Sequence, residues 1–336
     1  MQGLENIGAT CAANSLIQII CRTKFLRDSI LLEKNMPDNT LAIELKEIIQ
    51  LMYIDKKSLS PRKFITKLYN IFSDIFRFGE QLDINELWLF LFNKISSEIG
   101  NELNDNMLID DNINSNELTS SISDTNIELL YNKCTNVMNN INNNKTSNWL
   151  ESSQGIILNI ITCNKCKNTL YNFEPFSSIP LDINNNINKS VTNMFRNSLK
   201  SYINKDEWKC NKCNECTEYT KIFKIWKLPP ILIFNIKRFD NINVKNHAEI
   251  DINEKIIIKK GNVLSNIDAN YNYNLTSIGL HLGDINNGHY CAICKDETDG
   301  KFILYNDLNI NKIEDNNYKK IIKNNKDAYM IIYTLT

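Results

Sequence analysis

Gly3-Leu4-Glu5-Asn6-Ile7-Gly8-Ala9-Thr10-Cys11-Ala12-Ala13-Asn14-Ser15 is the stretch from which the rest of the chain is best read. Leu16, Ile17, Ile19 and Ile20 follow at helical intervals, so Cys11 falls on the first turn of a helix. A thiol there feels the partial positive charge and free N–H groups of the helix start, which favour the thiolate. Gly8 supplies a turn that lets backbone approach a substrate, and Asn6 a side-chain NH2 that could donate to an oxyanion. The plain alternative is a buried core cysteine, because free cysteines are among the most buried residue types.

Working outward, residues 40–53 carry Leu41, Leu45, Ile48 and Met52 at helical spacing. Ser60-Pro61 starts a helix with Phe64, Leu68 and Phe72, and residues 83–99 form another that Gly100 stops. Residues 101–148 change character: 15 of the chain's 54 asparagines lie between 101 and 150, and Ile127, Leu130, Cys134, Met138 and Ile141 mark one amphipathic helix after Asp124. Such polar tracts cannot offset the entropy of ordering, so this segment is expected to be a surface insertion, partly disordered. From Gly155 the pattern turns to apolar runs at 155–162, 218–227, 230–238, 273–282, 289–295, 301–305 and 328–335, with one helix over 190–203. Helices first and strands later give an α+β chain with a mostly antiparallel sheet in its second half.

The 336 residues carry 38 Lys+Arg against 39 Asp+Glu, a formal charge of −1, which argues against a broad footprint for nucleic acid or an anionic membrane. The N-terminus has neither the basic start nor the apolar run of a signal peptide, and no apolar stretch approaches 18 residues. A soluble, intracellular, monomeric protein is expected. In a reducing compartment ten cysteines do not form a disulfide framework, so their spacing carries the information.

Cys163-Asn-Lys-Cys166 and Cys210-Asn-Lys-Cys213 are two C-x2-C knuckles whose four thiolates match a tetrahedral structural zinc site. Cys216 extends the second knuckle but has no counterpart on the first, which favours Cys210 and Cys213. Zinc at this spacing would staple the tips of two strand pairs. A zinc nucleic-acid module would need a basic stripe between the knuckles, and residues 167–209 hold six Lys/Arg and four acids, which is too balanced.

Three histidines exist, His247, His281 and His289. His289 follows Asn286-Asn287-Gly288 at the start of a strand, and one hairpin would bring Asn306 beside it. A cysteine, a histidine and an Asn or Asp that orients the imidazole make up a papain-like nucleophilic set. His281 reads as a strand histidine and His247 as a solvated one.

The segment around Cys11 resembles the cysteine box of the ubiquitin-specific proteases, G-L-x-N-x-G-x-T-C-Y-x-N-S, and residues 279–290 resemble that family's histidine box, H-x-G-x(n)-G-H-Y. Gln81-Leu82-Asp83-Ile84-Asn85-Glu86-Leu87, the segment from Leu228-Pro229-Pro230 to Lys237-Arg238-Phe239, and Ala328-Tyr329-Met330-Ile331-Ile332-Tyr333 match three further blocks. With the zinc knuckles these blocks occur in family order from residue 3 to 333.

The resemblance implies a papain-like cysteine protease fold in one catalytic domain over 1–336, with no separate targeting or partner-binding domain. It has a helical thumb (1–150, with the Asn-rich insertion near 101–148), zinc-bearing β fingers (151–235) and an antiparallel β palm (236–336). It implies a deubiquitinating thiol hydrolase cleaving (iso)peptide bonds after the C-terminal Gly of ubiquitin through a Cys thioester, with ubiquitin and ubiquitinated proteins as partners. Cys11 would be the nucleophile, His289 the general base and then acid, and Asn306 the residue that orients the imidazole. Asp307 could share or take over that role, and Asn6 would be the oxyanion donor. Asp83 and Glu86 match acidic positions that contact the arginine-containing ubiquitin tail, and carboxylates at i and i+3 share a helix face. Asp83 could equally be only the N-cap and Glu86 its capping-box partner. Ala12 and Ala13 replace larger residues, Leu82 replaces a polar one, and Asn306 is the amide variant of the third member. A non-catalytic ubiquitin-binding scaffold on the same fold is the rival reading.

Overall fold

The apolar stripe after Cys11 becomes helix α1 (Cys11–Arg22), and all of it but Arg22 is buried. Around it pack α2 (Lys24–Leu31), α3 (Leu41–Ile49) with a π-helical turn (Gln50–Ile54), α4 (Arg62–Ile71) and α5 (Ile84–Glu98). In the computed structural model, residues 2–55, 59–103, 124–183, 189–200, 202–240, 244–259, 263–264, 270–284 and 287–336 are described, with backbone alone at 124–127 and 202–207. After α5 come β1 (Asn101–Glu102), α6 (Asp124–Ile141), β2 (Lys145–Thr146) and α7 (Asn148–Ser153); β1 and β2 pair with each other.

The second half of the chain is mostly strand. β3 (Gly155–Cys163), β4 (Thr169–Phe176), β6 (Tyr202–Lys209) and β7 (Cys216–Lys227) form a four-stranded sheet in the order β4-β3-β7-β6. Between its second and third members the chain leaves through β5 (Ile179–Asp182) and α8 (Val191–Ser198). The large sheet runs β13-β12-β11-β10-β14-β8-β5, with β9 also on β10. Its remaining strands are β8 (Ile231–Lys237), β9 (Lys255–Ile258), β10 (Tyr271–Leu282), β11 (His289–Lys295), β12 (Phe302–Asn306), β13 (Asn309–Lys312) and, after α9 (Asp315–Ile322), β14 (Ala328–Leu335). All its pairings are antiparallel except β5 with β8. Residue 235 falls inside β8, which belongs whole to the large sheet, as does β5.

The sheet has a core on each face. On one, α1 lies against Tyr290, Ala292, Met330 and Ile332; on the other, α8 packs in one cluster with Leu232, Phe234, Ile278 and Ile331. This alternation along β11 and β14 is what seats the cysteine helix directly on the strands that carry the histidine box.

Two expectations are corrected. The helix expected over 190–203 ends at Ser198, and Tyr202 starts β6 opposite Lys221 of β7. Its apolar spacing fits either structure, and cross-strand pairing decides. The amphipathic helix expected after Asp124 is present as α6, but its segment is not merely surface: Leu130 and Cys134 are buried in one cluster with Leu158, Phe173 and Trp226 of the four-stranded sheet. The disorder expected for its first part falls on residues 104–123, outside the described residues. No helix among the described residues is long and apolar enough to cross a membrane.

Candidate active site

The loop before Cys11 is tied to itself. Asn6 Oδ1 accepts from the Gly8 N–H, the Thr10 N–H and the Thr10 hydroxyl, each at 3.2 Å, and Gly8 (φ +113°) and Ala9 (φ +52°) turn the chain into α1. Cys11 is 3% exposed. Burial pushes its thiol up from the ordinary value, and the nearby Asp307 charge adds to this; N–H groups of Tyr290, Ala12 and Cys11 pull it back down. Desolvation therefore outweighs the helix-start effect on which the expected thiolate rested.

The β11–β12 hairpin brings its two ends together at this helix start. His289, the first residue of β11, holds Asn306 Oδ1 from Nε2 at 2.7 Å. An amide oxygen only accepts, so Nε2 is the donor in this bond and Nδ1 is the ring nitrogen left for another partner. Among the described residues no hydrogen bond joins Cys11 to His289. Such bonds are commonly loose before substrate arrives.

Asp307 sits one residue beyond, at φ +51°, and faces the other way. Its Oδ1 accepts from Asn14 Nδ2 at 2.7 Å and its Oδ2 from Asn6 Nδ2 at 3.0 Å, while its carbonyl accepts from the Leu4 N–H at 3.1 Å. Gly3 lies so close that a Cβ there would meet Leu308 Cα at 2.6 Å. Asp307 thus docks the cysteine loop onto the hairpin, a partnership that the sequence did not signal, since Asn14 reads as an ordinary helix residue.

Asp83 caps α5, its Oδ1 accepting from the N–H groups of Asn85 (2.8 Å) and Glu86 (3.0 Å). Its other oxygen accepts from the hydroxyls of Tyr329 and, at 3.5 Å, Tyr290. Glu86 is exposed, and its carboxylate makes no hydrogen bond among the described residues, so no capping box closes. Gln81 donates to the Gly288 carbonyl, just before His289. His281 is buried under that turn: a Cβ on Gly288 would lie 2.2 Å from His281 Nε2, and Tyr290 lies 4.6 Å away ring to ring. Burial, with Lys245 nearby, pushes the His281 pKa down to about 4. His247 is exposed and lies 3.5 Å from Asp284.

At the far end of the four-stranded sheet, Cys163, Cys166, Cys210 and Cys213 bring their sulfurs within 4.8 Å of one another. The two knuckles are copies: Lys167 and Asn214 both take φ +58°, and their N–H groups return to the carbonyls of Cys163 (3.0 Å) and Cys210 (2.8 Å). Tetrahedral zinc with Zn–S bonds of about 2.3 Å spaces sulfurs about 3.8 Å apart, so four free thiols packed this closely fit a metal ion. Cys216 is exposed and stands outside the cluster.

The family model described as "Ubiquitin carboxyl-terminal hydrolase" matches residues 2–333. The chain belongs to this family. Family members are cysteine-type deubiquitinating hydrolases. Among its relatives, Ubiquitin carboxyl-terminal hydrolase Usp2 of Drosophila melanogaster is 26% identical over 352 residues, covering 99% of this chain and 35% of that protein. Ubiquitin carboxyl-terminal hydrolase 4 of Arabidopsis thaliana is 23% identical over 357 residues, covering 98% of this chain and 92% of that protein. The chain therefore spans about a third of the fly relative and nearly all of the plant one. The fold is similar to that in the SAGA DUB module of Ubp8, Sgf11, Sus1 and Sgf73 bound to monoubiquitin. There the TM-score is 0.71 at 21% identity, over 100% of this chain and 69% of that one. A structure of the same four components bound to ubiquitin aldehyde matches with a TM-score of 0.69 at 22% identity, over 100% of this chain and 70% of that one.

Proposed function

We propose that this chain cleaves the (iso)peptide bond after the C-terminal glycine of ubiquitin, with Cys11 as nucleophile. The observation that carries the reading is the 2.7 Å bond from His289 Nε2 to Asn306 Oδ1, on a hairpin packed against the helix that Cys11 begins. It leaves His289 Nδ1 as the atom that takes the thiol proton as Sγ bonds to the glycine carbonyl carbon. The resulting oxyanion would be received by Asn6, whose NH2 has one hydrogen beyond that given to Asp307, and by N–H groups at the start of α1. As the intermediate collapses the C–N bond breaks, and His289 returns the proton to the departing amine. Water, deprotonated by His289, then attacks the thioester, and the Cys11 thiol leaves as the ubiquitin carboxylate forms.

Asn306 orients the imidazole, and as an amide it stabilises imidazolium less than a carboxylate would. Asp307 acts on the cysteine loop and not on His289. Glu86 is the freer of the two carboxylates offered to the arginine-containing ubiquitin tail, because Asp83 is already engaged by its helix and by Tyr329. Zinc is the ion we assign to Cys163, Cys166, Cys210 and Cys213; when bound, it cross-links the β3–β4 and β6–β7 tips. The thumb is then 1–150, the fingers 151–227 without β5 and α8, and the palm the large sheet. Turnover of a ubiquitin C-terminal fluorogenic substrate tests the reading: activity lost in Cys11→Ala supports it, and no turnover by the metal-loaded wild type, or turnover that survives Cys11→Ala, refutes it.

A further inference from the structure

Lys245 lies in a polar loop after β8, where a lysine is ordinarily solvated. Here its side chain is 1% exposed. Its backbone is set by the fully buried Arg238, which donates to the carbonyls of Asn246 and Ala248 on one side, both at 2.9 Å, and of Ala328 (2.7 Å) and Asn325 (3.1 Å) on the other. The Lys245 ammonium in turn donates to the carbonyls of His281 (2.6 Å) and Gly283 (2.7 Å), and lies 3.5 Å from Asp327 Oδ1.

Two of those three acceptors stand where β10 ends and the turn toward His289 begins. Gly283, at φ +78°, is packed so closely that a Cβ would meet the Asn287 carbonyl at 2.5 Å, so residues 283 and 287 lie against each other. Gly288 rests on the His281 ring, and its carbonyl is held by Gln81. The next residue, His289, supplies the imidazole and opens β11.

We propose that Lys245 is a positioning residue for the catalytic histidine. By fixing the carbonyls of His281 and Gly283 it sets the turn that presents His289 to Cys11. Burial of an ammonium is costly unless fully paired, and here the pairing is spent on that turn. Burial pulls the Lys245 pKa down and Asp327 opposes this, while the neighbouring Arg238 lowers it further. The proposal rests on the Cys11–His289 reading, and its test separates the two.

Lys245→Met removes the donors and keeps the aliphatic stem, and Lys245→Arg keeps a donor. Turnover of the ubiquitin fluorogenic substrate is measured per active site titrated with a ubiquitin electrophile, so that unfolded molecules do not count. Lys245→Met is expected to lower kcat by about 10- to 100-fold with KM within about 3-fold, the scale of a misplaced catalytic group, and Lys245→Arg to recover part of it. A Lys245→Met enzyme with wild-type kcat per titrated site overturns the proposal. Hydrogen–deuterium exchange at 282–290, read without substrate, tests the positioning even if the wild type proves inactive. Faster exchange in Lys245→Met confined to that segment and 244–248 supports it, and exchange unchanged there overturns it.

Discussion

Asp307→Asn asks which member of the site this carboxylate serves. The replacement keeps the side chain's shape and a residue type at ease with φ +51°. It leaves one acceptor oxygen facing two NH2 donors. Asn14, buried and at 2.7 Å, keeps that oxygen, and Asn6, exposed and at 3.0 Å, is left facing an NH2. The lost bond is one to a charged acceptor, worth about 1.5 kcal/mol at this partly solvated position, or about 10-fold in kcat. Asn6→Ala, which removes the oxyanion donor itself, is expected to cost about 100-fold. Because Asp307 acts through Asn6, Asp307→Asn in an Asn6→Ala background should cost less than about 3-fold. Combined with Asn306→Ala it should multiply in full. The assay is kcat on a ubiquitin fluorogenic substrate per titrated active site. Full multiplication with Asn6→Ala, and silence in the Asn306→Ala background, would make Asp307 a partner of His289 and not of Asn6.

Cys163→Ser and Cys210→Ser should each lose bound zinc and lower Tm; stoichiometric zinc in both by elemental analysis would refute the ligand set. The buried neutral His281 binds no proton until about pH 4, whereas the unfolded chain's histidine does so near 6.5. Stability from this group is therefore whole above about pH 6.5 and falls by about 3 kcal/mol as pH drops to about 4. Urea unfolding of wild type against His281→Gln should show the flatter acid limb in the variant, and equal slopes would contradict the burial argument. Because burial raises the Cys11 thiol, its alkylation by iodoacetamide in the free protein should still be climbing as pH passes 9. A plateau already reached at pH 7 would instead show a preformed thiolate.

Much of this architecture is legible in the sequence because it follows from local rules. The stripe Leu16, Ile17, Ile19, Ile20 forms α1, the apolar runs from 155 onward become strands with shifts of a few residues at their ends, and the repeated Cys-Asn-Lys-Cys folds twice into the same turn. What the sequence hides is long-range. Tyr202 fits a helix until β7 offers it a partner, and the apolar stripe of α6 is legible but not what covers it, Leu158, Phe173 and Trp226. Asp307 looks like a second orienting acid because it neighbours Asn306, but a left-handed backbone turns it toward Asn6 and Asn14. Lys245 carries no sign of burial at all, since only the meeting of three distant carbonyl and carboxylate groups makes a dry site for its ammonium.

Covalent capture by ubiquitin bearing a C-terminal electrophile, read by intact mass and peptide mapping, tests Cys11 as the nucleophile most directly. One adduct is expected on wild type, mapped to Cys11, and none on Cys11→Ala. An adduct that persists in Cys11→Ala, or maps to another of the ten cysteines, would contradict it, as would an unlabelled wild type whose zinc is intact.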